Sequence, residues 1–358
     1  MTVCILGNGL AALTLAKALV SMNIDVELLT QNKNLSLSKT RTLGISKSNF
    51  DYFNKNIINI EKLAWKLKKI EIFTDNLKKE KILNFEDNIQ LFSIIKNHKL
   101  YENLEKDLSK NKHFKKKISN NKNLSFVKKY SLIINCDYAH NLTKKYFSKK
   151  ITKQYNCFAY TTIIKHKKIL NDKAIQIFTK KGPLAFLPIS NSETSIVYSV
   201  HDTLNGKKDN IKEMIKINNF KYKIIEIKNI DKFELKSHDL RSYFHDNILA
   251  FGDLLHRIHP LAGQGFNMTI RDIKILTKII SEKIELGLPL DSSINNEFEK
   301  ITKHKNFIFT NGIDFVNEFF NVERKVKNSI LSNSVQLVGN SHLIKKVFTK
   351  IADKGILF

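Results

Sequence analysis

The sequence predicts an α/β fold in three parts: a nucleotide-binding βαβ domain, a β-sheet domain interrupting it, and a helical C-terminal tail. Three observations predict it. First, the apolar run Thr2 to Leu6 leads into Gly7-Asn8-Gly9 and then into Leu10, Leu13, Leu15, Ala16 and Leu19 at helical spacing, which reads as strand, tight turn, helix. Second, residues Gln154 to Val200 change to strand-like runs. Third, a buried strand pattern at Ile248 to Gly252 precedes Phe266, Ile270, Ile273 and Leu276, spaced as one helix face over Gln264 to Ile280.

In chain order, Asp25 to Leu29 supplies the second strand of the N-terminal βαβ unit. From about Asn54 to Lys150 the chain is lysine-rich, with an amphipathic segment near Lys99 to Leu108 and a strand near Ser131 to Asn135. Strands follow at Ala174 to Phe178 and Thr194 to Ser199, with the rigid Gly182-Pro183-Leu184-Ala185-Phe186-Leu187-Pro188 between them. These patterns assign residues 1–150 and 240–290 to the nucleotide-binding domain, 151–239 to the inserted sheet domain, and 291–358 to the helical tail.

With 358 residues, 42% of them hydrophobic, the chain can bury a sizeable core. No run of about 18 apolar residues could span a bilayer, Met1 leads straight into a strand pattern, and Cys4, Cys136 and Cys157 have no CxxC spacing. A cytoplasmic protein is expected, with a peripheral position at the inner membrane face as the variant compatible with a lipid substrate. The net charge of +26 is spread along the chain, so a nucleic-acid partner is not expected; lysine-rich faces favour an anionic membrane surface instead. Only Arg41, Arg241, Arg257, Arg271 and Arg324 are arginines, and each is a candidate for a position that needs a forked donor.

Two motifs carry chemistry. In Gly7-x-Gly9-x-x-Ala12, Gly7 permits the tight turn, Gly9 admits a pyrophosphate to the backbone, and Ala12 packs helix on strand. The helix starting at Leu10 and Ala11 presents N–H groups and a positive dipole end. The acid expected about 20 residues on is absent: the strand ends Leu29-Thr30-Gln31, and Glu27, inside it, points elsewhere. Thr30 or Gln31 is the substitute. The second motif runs Phe251-Gly252-Asp253-Leu254-Leu255-His256-Arg257-Ile258-His259-Pro260-Leu261-Ala262-Gly263-Gln264-Gly265-Phe266-Asn267. Asp253 is placed to accept hydrogen bonds from a polyol, while Gly263, Gly265 and Asn267 would set backbone donors beside a flat, electron-accepting ring. His256 and His259 lack the carboxylate or cysteine cluster of a metal site, so no metal is expected; Arg257 could meet phosphates or an acidic substrate, and His140 reads as a surface residue.

The second motif with Arg271-Asp272, the Gly182 to Pro188 segment, and Arg41-Thr42-Leu43-Gly44-Ile45-Ser46 together resemble the ubiquinone-biosynthesis hydroxylases among the class A flavin monooxygenases, related to para-hydroxybenzoate hydroxylase. The resemblance implies a Rossmann-like FAD-binding domain interrupted by a β-sheet substrate domain. It implies FAD held by Gly7, Gly9, Leu10, Ala11, Thr30, Arg41, Asp253, Pro260, Gly263, Gly265, Phe266 and Asn267. It implies reduction by an external donor such as NAD(P)H or a redox protein, reaction with O2 to a flavin hydroperoxide, and hydroxylation of a polyprenylated phenol. No catalytic side chain is assigned, because a dry pocket and an oriented ring suffice for that chemistry. Three departures from the family pattern stand out: Tyr138 replaces a glycine in Cys136-Asp137-Tyr138, Leu254-Leu255 replace a small pair, and Thr30 replaces the acid. They favour a second reading, a catalytically weakened flavin-fold scaffold or lipid-presenting subunit of a ubiquinone-biosynthesis complex. A flavin reductase or dehydrogenase acting on a lipid is a third.

Overall fold

The computed structural model describes residues 2–31, 37–75, 81–119, 125–201, 210–258 and 263–326, with 346, 349–351 and 353–355 near the end. The first third of the chain gives β1 (Thr2–Leu6), α1 (Leu10–Ser21), β2 (Asp25–Thr30), β3 (Thr42–Ser46), α2 (Lys47–Asn56), β4 (Ala64–Leu67), β5 (Lys69–Thr74), β6 (Lys81–Glu86), β7 (Phe92–Lys96), α3 (Asn97–Leu108) and β8 (Phe114–Ile118). The middle gives β9 (Ile133–Asn135), α4 (Asn141–Tyr146), β10 (Lys150–His166), β11 (Lys173–Thr179), β12 (Gly182–Pro188), β13 (Glu193–His201), α5 (Ile211–Asn218), β14 (Ile224–Ile227) and β15 (Asp231–Leu240). Then come β16 (Phe244–His245), β17 (Ile248–Ala250), β18 (His256–Arg257), α6 (Gln264–Glu285) and α7 (Ser292–Val326).

The fold is α/β. Six strands form the nucleotide-side sheet in the order β16-β17-β9-β1-β2-β8, parallel from β17 to β8. Strands buried on both faces read as unbroken apolar runs, and Val3, Cys4, Ile5 and Leu6 are fully buried. Placing β1 at the centre brings the turn after it to the carboxyl end of the sheet, where parallel α/β folds bind ligands. A small antiparallel sheet, β3-β7-β4, stands beside it.

The large sheet runs β18-β15-β10-β13-β12-β11-β5-β6, with β14 on β10. It therefore takes residues 69–74, 81–86 and 256–257 as well as strands from 151–239. β5 pairs in parallel with β11, from Lys69↔Lys173 to Thr74↔Phe178. Glu71 ties three of its strands together: its Oε1 lies 3.1 Å from both Lys81 Nζ and Lys173 Nζ. Burial would raise this carboxyl, but the two lysines outweigh it and hold it below the usual range. The Gly182 to Pro188 segment is itself the strand β12, and its prolines occupy the second and last positions, where a missing N–H disturbs the ladder least. α7 starts in the nucleotide-side core with Ile294 and Phe298 and ends on the large sheet, where Phe320 stacks on Phe178 at 3.5 Å. The three cysteines are free.

Candidate functional site

The βα turn after β1 is built for close approach. The Gly7 N–H donates to the Leu29 carbonyl at 2.8 Å, and Gly7 sits at φ +100°, a conformation that costs other residues strain. A side chain there would also crowd Asp137, 3.3 Å away. Gly9 is the N-cap of α1 without a side-chain capping bond. Leu13 N–H donates to the Gly9 carbonyl at 3.1 Å, so the N–H groups of Leu10, Ala11 and Ala12 precede the helix's own bonding. A Cβ on Gly9 would meet no atom within 4 Å. The cradle is therefore open above Gly9.

The two motifs, separated by more than 200 residues, meet here. Gly252 has φ +64°, and a Cβ on it would lie 2.6 Å from Ala11 Cβ; the first turn of α1 thus rests on the bare backbone that precedes Asp253. Asp253 is exposed next to this contact. Along the chain, α6 begins at Gln264 with the N–H groups of Gln264, Gly265 and Phe266 at its free end, and Gly265 again has open space where a side chain would be. Phe266 is half-buried against Phe53. Pro260 and His259 fall outside the described residues.

The side chain of Asn267 has a part of its own, beside the backbone donor expected of the residue. It is fully buried, its Nδ2 donates to the carbonyls of Gly44 (3.0 Å) and Gly263 (3.1 Å), and its Oδ1 accepts from the Ser46 N–H and from Asn49 Nδ2, both at 2.9 Å. The side chain thus clasps β3 to the start of α6. Phe92 fills the space over Gly44, and Gly263 packs 3.6 Å from Gly44 by its missing Cβ. Arg41, at the entrance to β3, is exposed and lies over the Phe233 ring at 5.3 Å. Phe92 and Asn49 carried no signal in the sequence; Asp137 was visible as part of the Cys136-Asp137-Tyr138 run. Gly44 was visible only as part of the Arg41 run.

The departures from the glycine and small-residue pattern fall where they do not close the cradle. Tyr138 is 52% exposed and turns towards His238 and Lys150, and its backbone does not need a positive φ. Leu254 and Leu255 are buried in the core. Thr30 is buried at the end of β2; Gln31 beyond it is exposed and donates to Asp137 Oδ2 at 3.4 Å, so a carboxylate from the loop after β9 borders that end. Glu27 pairs with Lys117 at 3.0 Å, away from the turn. The expectation for His140 is corrected: it is buried and caps α4, its Nδ1 accepting from Leu142 N–H at 3.2 Å. The first turn of a helix needs an acceptor, and the ring edge packs on Phe126.

Behind the second motif lies a buried polar network. His256 Nε2 is 2.5 Å from Asp272 Oδ2, both side chains 1% exposed, and Asn306 Nδ2 donates to Asp272 Oδ1 at 3.3 Å. Burial alone would lower the His256 pKa, but the Asp272 carboxylate holds it above the ordinary histidine value. Opposite His256 in the β15·β18 pair stands Asp239, which desolvation pushes up to about 6, with His256 opposing. Arg271 is half-buried beside them, 4.7 Å over the Phe309 ring, and desolvation lowers it to about 10. With Nε2 committed to Asp272, His256 anchors the loop that carries Asp253. A cleft of about 910 Å³ lies elsewhere, between α7 and the β15 to β16 segment, lined by residues such as Arg241, Lys300 and Phe307 and by none of the motif residues.

Residues 172–285 match the family model described as FAD binding domain, a span that includes Asp253 to Asn267. The chain is 23% identical over 196 residues to the ubiquinone biosynthesis monooxygenase COQ6 of Caenorhabditis elegans, covering 43% of this chain and 44% of that protein. It is 27% identical over 150 residues to the 3-demethoxyubiquinol 3-hydroxylase of Escherichia coli, covering 40% and 38%. These alignments span less than half the length of the curated relatives. In fold, the chain is similar to the p-nitrophenol 4-monooxygenase of Pseudomonas putida, with TM-score 0.77, 11% identity and coverage of 99% of this chain and 100% of the other. It is also similar to Klebsiella pneumoniae HpxO complexed with FAD and uric acid, with TM-score 0.72, 11% identity and coverage of 99% and 97%. The chain thus has the fold of FAD-binding monooxygenases and a sequence similar to the ubiquinone-biosynthesis hydroxylases.

Proposed function

We propose that this chain is an FAD-dependent monooxygenase that hydroxylates the ring of a polyprenylated phenol in ubiquinone biosynthesis, with O2 as co-substrate and an external donor such as NAD(P)H or a redox protein. One observation carries the reading: two motifs from opposite ends of the chain meet through Ala11 and Gly252, and the surface they form has room at Gly9 and Gly265 and an exposed carboxylate at Asp253. The residues fit the cofactor. The free N–H groups at the start of α1, with Gly7 and Gly9, suit a pyrophosphate; Asp253 suits a polyol; the N-terminus of α6 and Gly263 suit the polar edge of the ring system.

Bound FAD would supply the redox and oxygen chemistry. The chain's share is to orient and to exclude water. The Asn267 clasp fixes the start of α6 against β3, and the His256–Asp272 pair fixes the loop after Asp253. Arg41 stands where the nucleotide side meets the large sheet. Among the described residues no helix is long and apolar enough to cross a membrane, and in this reading the lysine-rich surface meets an anionic membrane face where the lipid substrate resides.

The scaffold reading loses support from two of its three residues, since Tyr138 and Leu254 lie outside the cradle. The test is incubation of the protein with FAD, NADPH and a short-chain prenylphenol under ¹⁸O2. A product heavier by one labelled oxygen is expected. Flavin-bound protein that yields no labelled product, with NADPH or with a reduced ferredoxin as donor, would contradict the hydroxylase assignment.

A further inference from the structure

The large sheet has a row of side chains with space above it. Cross-strand register aligns Ile72 on β5, Gln176 on β11, Ala185 on β12 and Val197 on β13, and side chains directly opposite one another share a face. All four are partly exposed although all four strands are interior to the sheet. Their neighbours on the other face, Ile175, Ile177, Leu184, Phe186, Ile196 and Tyr198, are buried in the cluster under α5. The partial exposure therefore marks a gap over one face.

The gap has defined ends. Towards the nucleotide side, Ala174 and Leu187 pack with Trp65 and Phe92, and Phe92 borders Gly44 and Gly263. At the far end Phe178 stacks on Phe320. Ile313 and Val316 of α7 pack in the same cluster as Ile72 and Phe178, and Ile313 also touches the group of Ile258, Met268 and Phe309. The polar side chains beside the row on the same face, Thr161 and Ser195, are hydrogen-bonded to Thr40 and Thr42. Gln176 Nε2 is buried and has no hydrogen-bond partner among the described residues, and a buried donor without an acceptor is costly to keep unless something completes it.

We propose that Gln176 selects the substrate: its Nε2 donates to an oxygen on a flat ring held against Ala185 and Val197. The proposal rests on the hydroxylase reading above and adds the residue that distinguishes an oxygen-bearing ring from a plain hydrocarbon ring. A site that offers a hydrogen bond rejects an analogue lacking the partner oxygen, because its own polar group is then left unpaired.

Trp65, the single tryptophan, packs at one end of the gap and reports binding there without any flavin chemistry. Fluorescence titrations with 2-allylphenol and with allylbenzene, which lacks the hydroxyl, are expected to show the phenol bound at least about tenfold more tightly. In Gln176→Leu the two affinities become equal while the allylbenzene affinity is kept. Ala185→Phe, which fills the gap, weakens both probes. Discrimination that survives in Gln176→Leu, its absence from the wild type, or probe binding untouched by Ala185→Phe would overturn the proposal. The two readings separate cleanly: a protein that discriminates through Gln176 but binds no FAD sinks the hydroxylase reading alone, and one that binds FAD but discriminates without Gln176 sinks this proposal alone.

Discussion

A methyl group at Gly9 would meet no protein atom within 4 Å, whereas one at Gly252 would lie 2.6 Å from Ala11 Cβ in backbone at φ +64°. The same substitution is therefore expected to have opposite effects at two neighbouring sites. Gly9→Ala, at φ −72°, should leave the urea midpoint of the FAD-free protein within about 0.5 kcal/mol of wild type and weaken FAD about tenfold or more. Gly252→Ala should cost about 1–3 kcal/mol by overpacking and backbone strain. Asn267→Leu strands the buried Ser46 N–H and the Gly44 carbonyl, and about 2–4 kcal/mol of stability is expected to go, read from the same denaturation curves. Asp239 gives a pH signature. Its folded pKa, about 6, lies above the unfolded value near 3.8, so the stability it contributes is present below about pH 4 and is lost as pH rises through 6. Raised His256 acts in the same sense above its ordinary value near 6.5. Asp239→Asn should thus gain on wild type by about 2–3 kcal/mol between pH 4 and pH 8, with His256, Asp272 and Asp314 still facing the site; a difference that stays flat across that range would refute the assignment.

At the scale of elements, α7 joins the two halves, with Phe298 in the nucleotide-side core and Phe320 on the large sheet. Phe320→Ala is expected to cost about 3 kcal/mol and to lower the urea midpoint without changing the FAD content of the native protein, since the cradle lies at the other end of the helix. The βαβ start and the strand before Asp253 were legible because a strong apolar period ran into glycines whose spacing has a mechanical meaning. The membership of β5 and β6 in the large sheet was not. Lys69 to Thr74 pairs with a strand about 100 residues on, and nothing in a local period records a partner at that distance. The same holds for Phe92, an ordinary strand aromatic until Gly44 and Gly263 are placed against it, and for His140, whose capping bond depends on where α4 starts.

For the whole molecule, the fold places the amino-terminal motif, the Arg41 run and the Gly252 to Asn267 motif around one surface. The chemistry of that surface was readable in sequence because seventeen residues in series carried it, while the apolar gap beside Gln176 was not, since its four residues come from four strands. The parallel sheet, the clasp at Asn267 and the buried His256–Asp272 pair together hold a cradle whose open points are glycines facing no protein atom. The central claim is that this cradle binds FAD, and the most direct measurement is the visible absorption spectrum of the purified protein, with the released flavin identified and counted. The account predicts a flavin spectrum with about one FAD per chain, reduced by Gly9→Ala. A colourless protein that gains no thermal stability from added FAD would contradict it.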